Sequence, residues 1–422
     1  MIVNILFLFI IIHRCGLKHQ YELKTRRNKF NTMKNTWKIY MLAFISFIVG
    51  TSEFVIAGIL DKVAASANIS VSAAGQLITV FSIAYAFGPP IIMMALAKWD
   101  RRKLLILALS ILVLGSFMTV TLSGFIFLIA SRVVLALGTG VFVITAITVA
   151  PKLAPEGRQA GAVATIATGF SAALVIGVPI GRVLSTAYDW KTIFWGIGII
   201  CLLAIFAVAR TIPVTEGDAP VPLGKQLTLL KKPNILMSLG MTLFVFISYS
   251  VVQTFMTPFL SSIMKMGDGE ISAALFGLGI ASLIGSKLGG FLADRIGTAR
   301  TLFGSNVFQV LALILLSIIS GSLIGSITLL IIWMIAAWSF GSVQNFNVVS
   351  LAPEASGIMA SLNSSFTQLG IAAGAGIGGI AAGSSSMLAI TWVGAASVTI
   401  AVLIAAILFS PARMFEKNIM TK

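Results

Sequence analysis

One carboxylate lies in the middle of an apolar run near the start of the chain. Glu53 stands in the stretch "GTSEFVIAG", and no other charge occurs between Lys38 and Asp61. On a helix, Gly50 and Ala57 share the face of Glu53. Because both residues are small, this face can pack tightly or border a cavity. We therefore expect the acid to point into a helix bundle and not toward lipid.

A buried carboxyl group of this kind can carry a proton. Removal from water disfavours the charged form of the group, so Glu53 is expected to take up and release a proton near neutral pH. The alternative is a permanently protonated acid that hydrogen-bonds a neighbouring helix. Arg132, in "SRVVLALGTG", is a second charge inside an apolar run. It is expected to face the bundle interior as a partner of Glu53, or else to reach a membrane surface.

The elements that must position these residues are membrane-spanning helices. Of the 422 residues, 58% are hydrophobic and 10% are charged, whereas soluble domains carry about 25% charged residues. The apolar residues come in runs of about 20, the length of a helix that crosses a bilayer. The sequence predicts an all-α polytopic protein with twelve spans, at about 39–60, 72–97, 104–122, 124–149, 160–186, 192–211, 235–262, 270–293, 301–320, 325–350, 357–382 and 387–409.

The strong positive charge is explained by topology. A net charge of +16 could suit a nucleic-acid partner. However, Lys and Arg concentrate at the two ends and in alternate loops, and only Lys62, Lys191 and Lys265 fall in the opposite loops. This asymmetry places both termini in the cytoplasm and argues against a nucleic-acid partner.

Histidine and cysteine usage argues against an enzyme. The two histidines, His13 and His19, precede the first span, and Cys15 and Cys201 form no motif. A Ser-His-Asp arrangement needs a histidine in the body of the chain, and a metal site needs a cluster of ligands. The sequence predicts no catalytic site, no metal and no cofactor.

The chain divides around a central linker. Residues before Met33 differ from the rest, and "MKNTWKIYM" is a natural start just before the first span. We interpret the chain as a non-native or disordered extension, an N-terminal six-helix half, a cytoplasmic linker, a C-terminal six-helix half and a cytoplasmic tail, at residues 1–32, 33–211, 212–233, 234–412 and 413–422.

The second half repeats the first. "LAPEGRQAGAVATIATG" at Leu153 and "LAPEASGIMASLNSS" at Leu351 both precede a glycine-rich helix. The loops "AKWDRRK" and "ADRIGTAR" are separated by nearly the same distance along the chain. Duplicated halves of this kind are typical of transporters in which two helix bundles rock around a central site.

The loop motifs carry a family resemblance. "GFLADRIG", Gly290 to Gly297, resembles the Gly-x-Leu-Ala-Asp-Arg-x-Gly motif of the major facilitator superfamily, and "MALAKWDRRK" is a degraded copy in the first half. The resemblance implies the major facilitator fold with alternating access. It also implies gating roles for Asp100, Arg101, Arg102, Asp294 and Arg295. The alternative is that these charges only anchor loops at the membrane surface.

Two further segments resemble exporters of this superfamily. "GVPIG", which contains Gly177, Pro179 and Gly181, resembles the glycine-proline element of members that export by antiport, although close helix packing alone also explains it. "GTSEFVIAG" and "AGQLIT" resemble the bacterial drug, sugar and purine efflux branch. This resemblance implies a protein of the bacterial cytoplasmic membrane that exports purine bases or nucleosides against protons. Export of a sugar or an amphenicol-like drug is the alternative. Among rival functions, an importer or facilitator of the same fold is closer to this prediction than a solute channel.

Polar residues within the spans are candidates for the substrate path. Amides offer both donors and acceptors, and Phe170, Phe346 and Trp338 offer stacking surfaces, which suits a neutral planar or hydroxylated solute. The alternative for each is a hydrogen bond between helices, worth about 0.6 kcal/mol on average. The expected partners are this solute, protons and the bilayer, with the chain a monomer. The candidate residues are Gln76, Tyr85, Gln253, Gln344, Asn345, Asn347, Asn363 and Gln368.

Overall fold

The computed structural model describes residues 36–155, 158–215, 228–319, 321–384 and 386–409. The extension 1–32, the tail 413–422 and most of the linker 212–233, all inferred from sequence, lie outside the described residues. Within these ranges, twelve helices are long and apolar enough to cross a membrane. We number them α1 to α12: Thr36–Gly58, Val71–Ala95, Arg101–Thr121, Phe125–Leu153, Gly161–Ala187, Lys191–Thr211, Pro233–Thr254, Asp268–Ile296, Thr298–Ile319, Leu323–Ser350, Pro353–Gly383 and Ala389–Leu408.

The twelve predicted spans are confirmed. A segment in hydrocarbon must satisfy its backbone polar groups internally, so continuous apolar runs form helices. Short polar connections separate them, and several helices begin at a side-chain cap. Asp100 accepts a hydrogen bond from the backbone N–H of Arg102 (3.0 Å) at the start of α3, and Ser70 accepts one from Ala73 (3.0 Å) at the start of α2.

The prediction of one continuous helix for the seventh span, 235–262, was wrong. The helix α7 ends at Thr254, and a separate short helix, Met256–Ser262, follows after Phe255. Pro258 explains the break, because proline has no backbone N–H to donate to the carbonyl of Thr254. The first span is likewise followed by a short helix, Leu60–Ala67.

Helix α5 contains one wide turn. Residues Ala173–Gly177 form a π-helical segment, and Val178–Ala187 then continues as α-helix. Pro179 cannot donate to the carbonyl of Val175, so the regular hydrogen-bond ladder is interrupted there. Single π turns inside α-helices are uncommon and occur at functional sites.

The two halves have separate apolar cores. One core joins residues of α1 to α6, from Ile39 to Ile212. The other joins α7 to α12 and includes a few residues of the first half, Leu60, Ala64, Ala74 and Val178. These four lie beyond the end of α1, near the start of α2 and in the second part of α5. Within the described residues, the fully buried core that the halves share therefore lies mainly at one end of the molecule.

The order of the helices along the chain shows on which side of the membrane this contact between the halves lies. We call the side with the connections α2–α3, α4–α5 and α8–α9 the basic side, and the opposite side the outer side. On the outer side α2 packs on α11, and α5 packs on α8 through its later part. A Cβ on Gly279 of α8 would lie 2.6 Å from the Cα of Val175 in α5. This close approach seals the outer side between the halves.

Candidate functional site

Glu53 lies midway along α1, facing the contact between the halves. Gln368 of α11 donates a hydrogen bond from Nε2 to Glu53 Oε1 at 3.2 Å. The second carboxyl oxygen, Oε2, is buried and has no hydrogen-bond partner among the described residues. The bond from Gln368 crosses from the second half to the first, so this carboxyl group is part of the interface that must change when the halves move.

The small residues around Glu53 both pack and border a cavity, as the sequence allowed. A Cβ on Gly50 would lie 2.8 Å from the carbonyl oxygen of Phe170, so α1 and α5 touch closely there. Ala57, one turn later, lines a small cavity together with Glu53. The Ala57 carbonyl also accepts a hydrogen bond from Thr257 Oγ1 of the second half at 3.2 Å. Glu53 therefore points into the bundle.

Arg132 of α4 supports the backbone of α1 beside this acid. Its guanidinium donates to the carbonyl oxygens of Ser52 at 2.9 Å and Glu53 at 3.2 Å, and it lies over the ring of Phe81, 4.4 Å from the centroid. The side chain is buried, with 2% of its surface exposed. Within the described residues no ion pair joins it to the Glu53 carboxylate. Arg132 therefore faces the interior and does not reach a membrane surface.

Two cavities follow one another along the axis between the halves. The smaller, of about 60 Å³, is lined by Glu53, Arg132 and Gln253 among others. The larger, of about 460 Å³, lies next to it. Tyr249 of α7 lines both and stacks on Trp333, with ring centroids 5.7 Å apart. Sequence reasoning missed Tyr249, although its position one turn before Gln253 was a usable signal.

The larger cavity opens toward the basic side. Three of its lining residues are exposed, namely Ala167 of α5, Asn345 of α10 and Ser364 of α11. All three lie in the parts of their helices nearest the basic connections. The outer side is closed by the packing of α2 on α11 and of α5 on α8. The structure is therefore open on the basic side and closed on the outer side.

Three predicted substrate residues, Gln344, Asn345 and Asn363, line the larger cavity. They also bond to their neighbours. Asn363 donates to Asn345 Oδ1 at 2.6 Å and accepts from Thr242 Oγ1 at 2.8 Å. Gln344 donates to the carbonyl of Ser238 at 2.7 Å. This network joins α7, α10 and α11, so much of its hydrogen-bonding capacity is used between helices.

The remaining amide and phenol candidates are divided between cavity and interface. Gln253 lines the smaller cavity, and Gln368 holds Glu53. Gln76 lies near Gly379, at the contact of α2 with α11. Tyr85 is buried and packs on Phe81, with ring centroids 6.2 Å apart. Neither Gln76 nor Tyr85 lines the cavities described above. Asn347 donates to Ser238 Oγ at 3.0 Å.

The aromatic candidates are also divided. Trp338 lines the larger cavity. Phe170 contacts Phe54 edge to face, with ring centroids 5.4 Å apart, and Phe54 lines the smaller cavity. Phe346 is 65% exposed. Trp338 and Phe54 thus supply ring surface where a solute could rest.

The glycine-proline element of α5 packs this helix against α1. A Cβ on Gly177 would overlap the side chain of Thr51, and one on Gly181 would overlap Val55. Pro179 lies between them, just after the π turn. The element therefore sets how closely α5 approaches the helix that carries Glu53.

A charge cluster closes the outer side, and sequence reasoning did not assemble it. Arg182 of α5 pairs with Asp61 and with Asp268 of α8, and Lys62 pairs with Asp268 at 3.0 Å. Arg182 is 1% exposed. We call these four residues the outer charge cluster. The available signal was Arg182 inside a span and Asp61 just after one, but nothing in their spacing pointed to Asp268.

The predicted gating charges lie at the basic side. Besides capping α3, Asp100 accepts a hydrogen bond from the backbone N–H of Thr215 at 3.0 Å, which fixes the start of the linker. Arg101 is buried and Arg102 is half-buried. Asp294 and Arg295 are exposed, and Arg295 lies over Phe291 of its own helix at 4.9 Å. Asp100 thus holds the linker beside the start of α3, and Asp294 and Arg295 lie at the end of α8.

Twelve spans in two packed halves with a central cavity are the architecture of a polytopic membrane transporter. A sequence model described as Major Facilitator Superfamily matches residues 42–375. The chain belongs to this superfamily.

Relatives and solved structures agree with this assignment. The chain is 46% identical over 378 residues to the "Uncharacterized MFS-type transporter YbcL" of Bacillus subtilis strain 168, covering 90% of this chain and 97% of that protein. A second relative from that strain, "Uncharacterized MFS-type transporter YtbD", is 29% identical over 383 residues, covering 89% of this chain and 95% of that protein.

Two solved structures share the fold. The first is a bacterial homologue of the human lysosomal transporter Spinster in an inward-facing, unoccupied conformation, with a TM-score of 0.71 and 18% identity, covering 91% of this chain and 98% of that chain. The second is the nucleoside transporter NupG, with a TM-score of 0.71 and 14% identity, covering 89% of this chain and 100% of that chain.

Proposed function

We propose that the protein exports a small organic solute across the bacterial cytoplasmic membrane in exchange for protons, with both termini in the cytoplasm. Purine bases or nucleosides are the first substrate class. The observation that carries the proposal is Glu53, a carboxyl group in the central interface with one oxygen bonded across the halves and the other without a hydrogen-bond partner among the described residues. With this orientation, the basic side is cytoplasmic and the structure is inward-open.

Protonation of Glu53 changes a contact between the halves. Hydrogen bonds to an ionised acceptor are about twice as strong as those between neutral groups. The bond from Gln368 is therefore strong when Glu53 is charged and weakens when it takes up a proton. Because α1 and α11 belong to different halves, the proton changes the free-energy difference between their two arrangements.

Arg132 contributes by position. It holds the carbonyl groups of Ser52 and Glu53 and so fixes the stretch of α1 that presents the carboxyl group. Its charge is close to the acid without neutralising it in an ion pair. This arrangement leaves Glu53 able to exchange its proton with the cavity while its place in the bundle is kept.

The larger cavity suits a neutral planar solute. Ring surface comes from Tyr249 and Trp338, an amide group comes from Asn345 at the open end, and Gln253 lines the adjoining smaller cavity. A purine offers a flat ring with donors and acceptors on its edge, which these groups can match. A sugar or an amphenicol-like drug would use the amides but less of the ring surface.

Transport from everted membrane vesicles tests the proposal. Their cytoplasmic face points outward, so an antiporter accumulates substrate inside when the lumen is acidic. We expect labelled adenine, hypoxanthine or guanosine to accumulate, and an uncoupler to abolish accumulation. Accumulation of arabinose or chloramphenicol alone would replace purines by the alternative classes. Uptake that equilibrates without concentrating would indicate a facilitator or a channel.

A matched pair of variants then tests the coupling residue. Glu53→Gln keeps the hydrogen-bonding shape of the side chain but cannot release a proton. We expect it to lose gradient-driven accumulation while still exchanging labelled for unlabelled substrate. Glu354→Gln removes an exposed acid on the basic side and should transport normally. Full accumulation by Glu53→Gln would exclude Glu53 as the proton carrier.

A further inference from the structure

A second large cavity lies on the C-terminal half, away from the central path. It is a groove of about 430 Å³ between α8, α9 and α10. None of its lining residues lines the central cavities. Its rim is exposed, with Phe308 at 60% and Leu288 at 39%. Because all three helices cross the membrane, the groove opens toward the surrounding lipid.

The walls of the groove present almost no free polar group. Its hydroxyl side chains are already bonded to backbone carbonyl oxygens: Thr301 to Gly297 at 2.9 Å, Ser305 to Leu302 at 3.0 Å and Ser339 to Gly285 at 2.8 Å. The other lining residues are aliphatic or aromatic apart from Gly304 and Arg300. The groove is therefore suited to a hydrocarbon chain and not to a polar solute.

One end of the groove is positively charged. Arg300 lines it near the first turn of α9, on the basic side. Arg295, at the end of α8, adds a second exposed cation to the same short connection. Asp294 is the one acid between Gly290 and Arg300 in sequence, and no ion pair joins it to either arginine within the described residues. The first turn of a helix presents backbone N–H groups that have no partner within the helix, which favours an anion near the start of α9.

The length of the groove matches one leaflet. From Arg300 to Phe308, eight residues of helix at about 1.5 Å each span about 12 Å. The hydrocarbon core of a bilayer is about 30 Å thick, so one leaflet contributes about 15 Å. We propose that this groove binds one acyl chain of an anionic phospholipid, with the phosphate group at Arg300.

Native mass spectrometry of the full-length protein tests this site. The protein is released from bilayers of equal parts phosphatidylglycerol and phosphatidylethanolamine, and the retained lipids are counted. We expect phosphatidylglycerol to be retained in preference. For Arg300→Gln this preference should fall about fivefold, the effect of one basic side chain near an anionic head group. Arg210→Gln is the matched control, because Arg210 also lies at the basic end of a helix, over Phe206 at 4.6 Å.

Filling the groove provides a second test. A Cβ on Gly304 would meet no atom within 4 Å, so Gly304→Leu can occupy the groove without disturbing the fold. We expect this variant to retain less of both lipids. Gly196→Leu is the control, since Gly196 of α6 is equally open and lies outside the groove. Equal retention by both leucine variants and wild type, or equal retention of the two lipids by wild type, would overturn the proposal.

Discussion

Arg182 of α5 and Asp268 of α8 form an ion pair that connects the two halves on the outer side. Arg182 is also paired with Asp61 of its own half, so separation of the halves breaks one of its two ion pairs and keeps the other. The buried guanidinium is never left without a partner. The outer charge cluster can therefore open without the full cost of an unpaired buried charge.

Loss of the pair should shift the protein toward the outward-open arrangement. We expect Asp268→Asn to increase that population by about five- to thirtyfold, because Asp268 pairs with both Arg182 and Lys62 and a partly exposed ion pair contributes at most about 1 kcal/mol. The distance between spin labels placed on the outer ends of α5 and α8 measures the shift. Glu270→Gln is the control, since the Glu270 carboxylate caps its own helix through the N–H of Gly267 at 2.9 Å. An unchanged distance distribution in Asp268→Asn would show that the cluster is not a gate.

The close approach of α1 and α5 should not tolerate an added methyl group. A Cβ on Gly169 would overlap the carbonyl oxygen of Ala43, a backbone atom that cannot rotate away. We expect Gly169→Ala to cost about 1–3 kcal/mol and to lower the melting temperature of the purified protein. Gly196→Ala, which places its Cβ in open space, should leave the melting temperature unchanged. Similar melting temperatures for the two variants would contradict the packing.

Arg132 should not be replaceable by lysine. Its guanidinium reaches two carbonyl groups and the face of Phe81 at once, and a lysine ammonium group lacks this planar fork. We expect Arg132→Lys to reduce stability by about 1.5–3 kcal/mol, the usual value of hydrogen bonds to a charged group, and to slow transport. Thermal unfolding and vesicle transport measure both effects. Arg210→Lys, at an exposed site, should change neither quantity.

Substitutions of the two neighbouring amides of α10 should have different effects, mainly on stability for Gln344 and on substrate binding for Asn345. Gln344 is buried in the network of α7, α10 and α11, whereas Asn345 is exposed in the larger cavity. We expect Gln344→Leu to lower the melting temperature more than Asn345→Ala, which removes only the bond from Asn363, and Asn345→Ala to weaken substrate binding about tenfold. The opposite pattern would place the solute against Gln344.

The fold could be predicted from the sequence because it depends on two patterns, one local to each helix and one repeated between the halves. Apolar runs predicted twelve helices, and the repeated loop motifs predicted two halves. The break at Phe255 was missed although Pro258 is visible in the sequence, because the apolar run continues unchanged through it. Hydropathy alone does not report where a helix in lipid bends.

The site was only partly accessible. The position of Glu53 in the middle of an apolar run and the small residues Gly50 and Ala57 were sufficient to predict an acid that points into the helix bundle. The neighbours of this acid could not be predicted, because Gln368 lies 315 residues away in sequence. Gln76 and Tyr85 were predicted to line the substrate path by residue type alone. Residue type cannot distinguish the cavity from a helix contact a few ångströms away.

The π turn of α5 keeps a row of small residues in line. In a regular α-helix, four residues advance by about 40° more than one full turn, so positions four apart gradually rotate off a straight line. The wider turn at Ala173–Gly177 counters this rotation. As a result Gly169, Gly177 and Gly181 all meet α1, opposite Ala43, Thr51 and Val55 in unbroken register. The two helices thus contact each other at positions spaced by multiples of four residues. The π turn interrupts the hydrogen bonds of α5, but it keeps these positions on the side of the helix that faces α1.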